Sequence, residues 1–145
     1  MYNLNMEEIW KTIPKLVIRS GREFTPDRYE VSSLGRIRTK KQRYGQPRKD
    51  LGNKRGELTE YRYLTGRPDQ AGYMQVDLFD ANSVRSKYRI HTIVMQTFIG
   101  LPEDGQVICH YDDIKTNNQL TNLRYDTYKA NGLDKVRNKK LSLIS

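Results

Sequence analysis

Alternation of apolar and polar residues predicts several short strands and one helix in the first hundred positions. Residues 73–79 place Met, Val and Leu at every second position, a period that is typical of a strand. A polar turn follows at 80–83, and residues 84–90 predict the returning strand. The apolar positions of 90–99 recur at helical spacing and predict a short amphipathic helix, which Gly100 ends.

The segments before residue 40 predict a small module built around a β-hairpin. Residues 29–31 alternate like a strand, and Leu34-Gly35 supplies the turn before a second strand at about Ile37. The apolar-rich residues 6–18 predict a short turn or helix that leads into a strand.

The segment 106–131 predicts a strand, a long polar loop, a second strand and a helix. Residues 107–109 form a short apolar strand that ends at His110, and residues 123–125 form the second strand. Asp126 or Thr127 is suited to cap a helix that runs from about residue 128 to 140.

Composition narrows the class of protein. The chain has 145 residues, of which 36% are hydrophobic, and this is the size of one domain or of a small domain with an appendage. No run of apolar residues is long enough to span a membrane, and the first ten residues lack the core of a secretory signal. One cysteine and two histidines exclude an internal disulfide and a four-ligand zinc site. We expect a cytoplasmic protein.

The charge is strongly positive and concentrated in one segment. The net charge is +9, and residues 36–67 contain eleven Lys or Arg against three acids. Excess positive charge favours a nucleic acid as partner, although it can also serve solubility alone. Glycine and proline in 41–71 predict a loosely ordered basic connector, which either contacts phosphates or is a solvated linker. The candidate DNA-contacting residues of this region are Arg36, Arg38, Lys40, Lys41, Arg43, Arg48, Lys49, Lys54 and Arg55.

The strand, loop and helix pattern brings His110 towards the start of the last helix, where Asn131 lies. An imidazole can accept a proton near neutral pH, and an amide oxygen can hold a cation beside a phosphate. From spacing alone, a structural histidine and turn-forming asparagines are the more common interpretation, and catalysis stays open beside it.

Several residues in this order resemble the core of the phage HNH endonucleases, among them the intron-encoded homing nickases. They are Cys109-His110, Asp112, Asn117-Asn118, Asn122-Leu123-Arg124, Tyr125, Thr127 and Asn131. Residues 29–38 resemble the small module often joined to such nucleases. The resemblance implies an α+β protein with a ββα-metal nuclease core at 72–145, preceded by a β-hairpin-containing module at 1–40 and the basic connector at 41–71.

The resemblance also implies a role for each residue. His110 would be the general base that activates water, Asn131 would hold a divalent ion (Mg²⁺ or Mn²⁺), and Asn122 would organise the loop that fixes His110. Arg124 would steady a phosphate, unless it is simply an exposed strand residue. The implied reaction is the hydrolysis of double-stranded DNA, one strand at a time, to 5′-phosphate and 3′-hydroxyl ends, with no small-molecule cofactor. The oligomeric state stays open, and a monomer is compatible with the sequence.

Two positions depart from the family pattern. Cys109 stands where relatives place an aspartate that binds the metal, and a thiolate suits Mg²⁺ poorly. Either the ion is held by Asn131, water and DNA phosphate, or a softer ion such as Mn²⁺ is preferred, or the site only binds DNA. Asp113 replaces a glycine, and aspartate tolerates a positive φ better than most residues.

Three function classes therefore stay open: a metal-dependent DNA endonuclease, a non-catalytic DNA-binding protein on the same scaffold, and an RNA-binding accessory protein. The second histidine, His91, either contacts phosphate or water in the cleft or packs on the nuclease core, and helix position favours packing.

Overall fold

The computed structural model describes residues 7–18, 20–41 and 57–127, with the side chains of Glu57 and Thr59 excepted. Their fold is α+β, with short antiparallel sheets around one α-helix. The strands are β1 (Trp10–Thr12), β2 (Leu16–Val17), β3 (Glu23–Phe24), β4 (Tyr29–Ser32), β5 (Ile37–Lys41), β6 (Glu57–Leu64), β7 (Arg67–Pro68), β8 (Met74–Phe79), β9 (Arg85–Arg89), β10 (Gln106–His110) and β11 (Leu123–Thr127), and the helix α1 (Ile90–Phe98) lies between β9 and β10.

The predicted β4–β5 hairpin is confirmed and forms the centre of a sheet with the order β1-β4-β5-β6. Gly35 closes its turn with φ +85°, and its N–H donates to the Ser32 carbonyl at 2.9 Å. A left-handed φ is costly for any residue with a Cβ, which explains glycine at this turn. In the described part of segment 6–18, the predicted strand is confirmed as β2. The turn or helix predicted before it is wrong, because Trp10–Thr12 form β1, which pairs with β4.

The loosely ordered connector predicted for 41–71 is wrong over residues 57–68. There, β6 pairs with β5, and β7 pairs with β8. The glycines and prolines that suggested a connector lie before residue 57 and after residue 64. Between them, threonine and tyrosine have a high strand propensity, and this segment completes the four-stranded sheet.

The strands β8 and β9, the helix α1 and the β10–β11 hairpin agree with their sequence predictions. The helix supplies Ile93, Val94 and Met95 to a single core, which β2, β4, β5 and β8 also enter through residues such as Leu16 and Val31. The N-terminal strands and the nuclease-like half therefore share one hydrophobic core.

The loop 111–122, called the long loop below, joins β10 to β11 and ends in a 3₁₀ turn at Leu120–Asn122. Asp113 has φ +59°, as expected for a glycine-like position. The predicted helix 128–140 and its cap lie outside the described residues, or at their edge. Within the described ranges, no helix is long and apolar enough to cross a membrane.

Candidate active site

His110 is the last residue of β10, and its ring is buried although it opens onto the polar long loop. Only 6% of the residue is exposed. Its Nε2 lies 3.0 Å from the side-chain oxygen of Asn118, a residue that is exposed to the same extent. A neutral ring that donates from Nε2 keeps a lone pair on Nδ1, and a lone pair is what a general base needs.

Asn122 ties the two ends of the long loop together. Its Nδ2 donates to Oδ1 of Asp112 at 2.9 Å and to the Asn117 carbonyl at 2.8 Å. Its own Oδ1 accepts from the Asp112 N–H at 3.3 Å. The loop is thus closed by side-chain bonds at the residue that the sequence singled out as an organiser, whereas the residue that touches His110 directly is Asn118.

Asp112 is the charged member of this network. Burial alone would raise the pKa of its carboxyl, but hydrogen bonds from Asn117, the Ile114 N–H and Asn122 hold that pKa below its ordinary value. The carboxylate is therefore ionised near neutral pH and committed to the loop, which leaves it a structural role.

The candidate base His110 packs against two other rings, those of Tyr73 and His91. The ring centroids of Tyr73 and His91 are 5.0 Å apart, and those of Tyr73 and His110 are 6.0 Å apart. The cations of Arg89 and Lys115 lie over the Tyr73 ring, at 4.2 and 4.9 Å. Packing of His91 on the nuclease core is confirmed, and the contact includes the candidate base itself.

A second surface lies on one face of the four-stranded sheet, where cations alternate with aromatic rings. The guanidinium carbon of Arg38 lies 3.8 Å from the Trp10 ring centroid and 3.9 Å from that of Tyr61, and the Lys40 ammonium lies 4.8 Å from the Tyr61 ring. We call this surface the cation ladder; its members are Trp10, Arg36, Arg38, Lys40, Tyr61 and Tyr63.

The members of the ladder differ in how freely they meet solvent. Arg38 bonds Glu30 at 2.7 Å and exposes 18% of its side chain, whereas Arg36 exposes 55% although it bonds Glu8. Lys41, by contrast, turns to Asp27 at 3.3 Å and lies outside the ladder.

Two family models match this chain in succession. Residues 8–79 match the NUMOD4 motif, and residues 88–133 match the HNH endonuclease family. The second match contains His110, the whole long loop and Asn122. Residues 88–133 are thus an HNH endonuclease segment.

Relatives outside the family models agree. An uncharacterized HNH endonuclease of Acanthamoeba polyphaga mimivirus is 29% identical over 122 residues, which are 79% of this chain and 31% of the relative. The solved structure of the HNH homing endonuclease I-HmuI, which concerns DNA binding and cleavage, is 25% identical with a TM-score of 0.57 and covers 96% of this chain and 66% of that one. The chain thus spans about a third of the viral relative and 66% of the homing endonuclease. Its phage source stays a prediction.

The NUMOD4 match extends across the predicted domain boundaries at residues 40 and 71. The hydrophobic core likewise contains residues from before and after residue 71. The three-part division of the chain stays a prediction. Of the predicted DNA-contacting residues, Arg36, Arg38 and Lys40 lie together, and Arg124 lies on β11, where it bonds Asp126 at 3.1 Å and covers the Tyr111 ring. The candidates Arg43, Arg48, Lys49, Lys54 and Arg55 lie outside the described residues.

No group of three or more histidine, cysteine or acidic side chains that could hold an ion occurs in the described ranges. Cys109 is 1% exposed, and its Sγ lies 3.8 Å from the Val107 carbonyl. Asn131, the other predicted ligand, lies outside the described residues, so metal binding by both stays a prediction.

Sequence reasoning missed two parts of this site. It named Asn118 as part of the motif but gave the fixing of His110 to Asn122, because two adjacent asparagines in a turn offer no sign of which one faces the base. It also missed Tyr73, since a tyrosine at the start of a strand is ordinarily part of a core.

Proposed function

We propose that this chain is a metal-dependent DNA endonuclease in which His110 takes a proton from the attacking water. The observation that carries the proposal is the buried His110 ring, whose Nε2 is held by the Asn118 oxygen inside a loop closed by Asn122. That arrangement leaves Nδ1 as the basic nitrogen, in the segment that matches the HNH endonuclease family.

Water attack on a phosphodiester places the water's proton on His110 and breaks the bond to the 3′ oxygen, which takes a proton from solvent water. The products are 5′-phosphate and 3′-hydroxyl ends. A divalent ion would stabilise the developing charge on the leaving oxygen. We propose Asn131 and DNA phosphate oxygens as its main ligands, because the thiol of Cys109 is a soft donor. One active site acts on one strand, so nicking of duplex DNA is the expected outcome for a monomer.

The cation ladder is the proposed DNA-contacting surface. Lys40 and Arg36 extend from it and can neutralise phosphates, whereas Arg38 is held between rings and keeps the surface in shape. Arg124, which lies on β11 directly after the long loop, is a further proposed phosphate contact.

The test is cleavage of supercoiled plasmid DNA in Mg²⁺ and in Mn²⁺ by the wild type, His110→Ala and Lys15→Ala. Lys15 pairs with Glu23 on the β2–β3 hairpin and serves as the control. We expect open-circular product with the wild type and the control, and none with His110→Ala. Cutting that survives in His110→Ala would overturn the proposal.

The second candidate, a DNA-binding protein without catalysis, is favoured by the cysteine at position 109. Equal DNA binding by wild type and His110→Ala, with no cutting in either ion, would support it. Competition between single-stranded RNA and duplex DNA for binding to the protein tests the RNA-binding alternative, which predicts that the RNA displaces the DNA. The salt concentration is kept fixed, because affinity for phosphates depends steeply on salt.

A further inference from the structure

The Asn118 side chain and the turn at Gly35 come from opposite ends of the chain and meet next to His110. We propose that Asn118 is a positioning residue that fixes which nitrogen of His110 carries the proton, and that the β4–β5 turn holds Asn118 in place. The proposal rests on the function proposed above for His110.

The first step is the bond between the two buried side chains. His110 and Asn118 are each 6% exposed, and the Nε2 to Oδ1 distance is 3.0 Å. The amide oxygen of Asn118 faces Nε2 and only accepts hydrogen bonds, so this contact favours the neutral imidazole that carries its proton on Nε2. The Nδ1 nitrogen then carries the lone pair that can accept a proton, and the ring cannot turn over without losing its bond.

The second step is the contact between the long loop and the N-terminal hairpin. The Leu120 N–H donates to the Ser33 carbonyl at 2.8 Å, which fastens the end of the loop to the turn. Gly35 lies so close that a Cβ added there would be 2.8 Å from the Asn118 carbonyl oxygen and 3.0 Å from its carbonyl carbon. The obstacle is backbone, which cannot move aside without moving the loop.

The third step follows from these two. A shift of the turn moves the Asn118 backbone, and its side-chain oxygen leaves the line of the His110 Nε2–H. The N-terminal hairpin, which matches the NUMOD4 motif, is therefore a wall of the active site in addition to any contact it makes with DNA.

The most direct test needs no variant activity. The chain contains two histidines, so a long-range ¹H–¹⁵N spectrum of the full chain at pH 8 contains four ring nitrogens, and His110→Gln assigns them. We expect the His110 ring with its proton on Nε2. A ring protonated on Nδ1 would mean that the Asn118 amide donates instead, and it would overturn the proposal.

Two substitutions at Asn118 separate positioning from folding. Asn118→Asp keeps an acceptor oxygen at the same reach, and Asn118→Leu keeps the volume without it. For plasmid cleavage we expect Asn118→Leu to lower kcat about 100-fold with KM within about 3-fold, and Asn118→Asp to stay within about 10-fold of wild type. The His110 tautomer should persist in Asn118→Asp and become mixed in Asn118→Leu. Equal rates and unchanged spectra in both would overturn the proposal.

Gly35→Ala tests the turn, and Gly21→Ala is its matched control. Both glycines have positive φ, at +85° and +87°, but a Cβ on Gly21 meets nothing within 4 Å. We expect Gly35→Ala alone to shift the His110 ring signals and to lower kcat about 10-fold. If both variants behave alike, the role of the turn is wrong. If the wild type cuts no DNA, the proposed function fails, and the ring signals still decide the positioning proposal.

Discussion

The ring of His91 lies 5.3 Å from the ring of His110, centroid to centroid, with 39° between their planes. His91 lies in the first turn of the helix and His110 ends a strand, so the contact joins α1 to β10. Burial first, and then the nearby His110 and Arg89, together lower the pKa of His91 to about 3, while Asp69 acts in the opposite direction. Its Nδ1 has no hydrogen-bond partner among the described residues, as suits a ring that stays neutral.

This pKa makes the stability of the protein depend on pH. In the unfolded chain His91 titrates near 6.5, so below that value the unfolded state binds a proton that the folded state does not take up until about pH 3. The free energy of unfolding therefore falls as pH drops through this window, by about 1.4 kcal/mol per unit. We expect His91→Phe, which keeps a ring in the stack, to lack this loss.

Urea unfolding of wild type and His91→Phe at pH 7.5 and 5.0 measures the effect. Relative to the variant, the wild type should lose about 2 kcal/mol between the two values. If the two proteins lose stability in parallel, His91 is not the group responsible.

Asn122 is predicted to be the residue on which the long loop depends for its stability. Asn122→Ala removes both donors that hold Asp112 and the Asn117 carbonyl, and it leaves those acceptors without their partner. We expect the free energy of unfolding to fall by about 2–4 kcal/mol, measured in urea at pH 7.5. Asn82→Ala is the control: Asn82 lies in the exposed β8–β9 turn, where the change should stay within about 0.5 kcal/mol. A similar small loss at both positions would contradict the role of Asn122.

Lys40 is predicted to contribute one phosphate contact from the cation ladder. Its side chain is exposed, and the Tyr61 ring holds it on the same face as Arg36 and Arg38. We expect Lys40→Ala to weaken DNA binding and to make the slope of log Kd against log salt concentration shallower by about 1. The Lys15→Ala protein should keep the wild-type slope. Equal slopes in all three proteins would place the DNA elsewhere.

How much of this fold follows from the sequence depends on how local the signals are. The hairpin at Gly35, the β8–β9 pair and the helix from Ile90 each depend on a pattern of ten residues or so, and all three were predicted correctly. Strand β6 was missed because its partner is β5, on the far side of a basic segment. Long-range pairing overrode the Gly and Pro signals around it.

The candidate site shows the same division. His110 and Asn122 could be named from a motif, because their spacing along the chain carries the resemblance. The contact of Gly35 with Asn118 could not, since nothing in either local sequence records that the two segments meet. The contact between His91 and His110 could not be predicted either. The helix pattern indicates that the His91 ring packs in a core, but not which residue it contacts.

The last prediction concerns the metal and Cys109. The thiol is buried on β10, and sulfur is a poor ligand for Mg²⁺, so the ion is expected to depend on Asn131 and phosphate oxygens instead. EDTA should abolish plasmid cleavage by the wild type, and either Mg²⁺ or Mn²⁺ should restore it. Cys109→Ala should retain cutting in Mg²⁺ within about 3-fold at some cost in stability, because it deletes one buried sulfur. If Cys109→Ala cuts in neither ion while the wild type prefers Mn²⁺, the Cys109 thiolate is a metal ligand. The expectation that only Asn131 and phosphate oxygens hold the ion is then wrong.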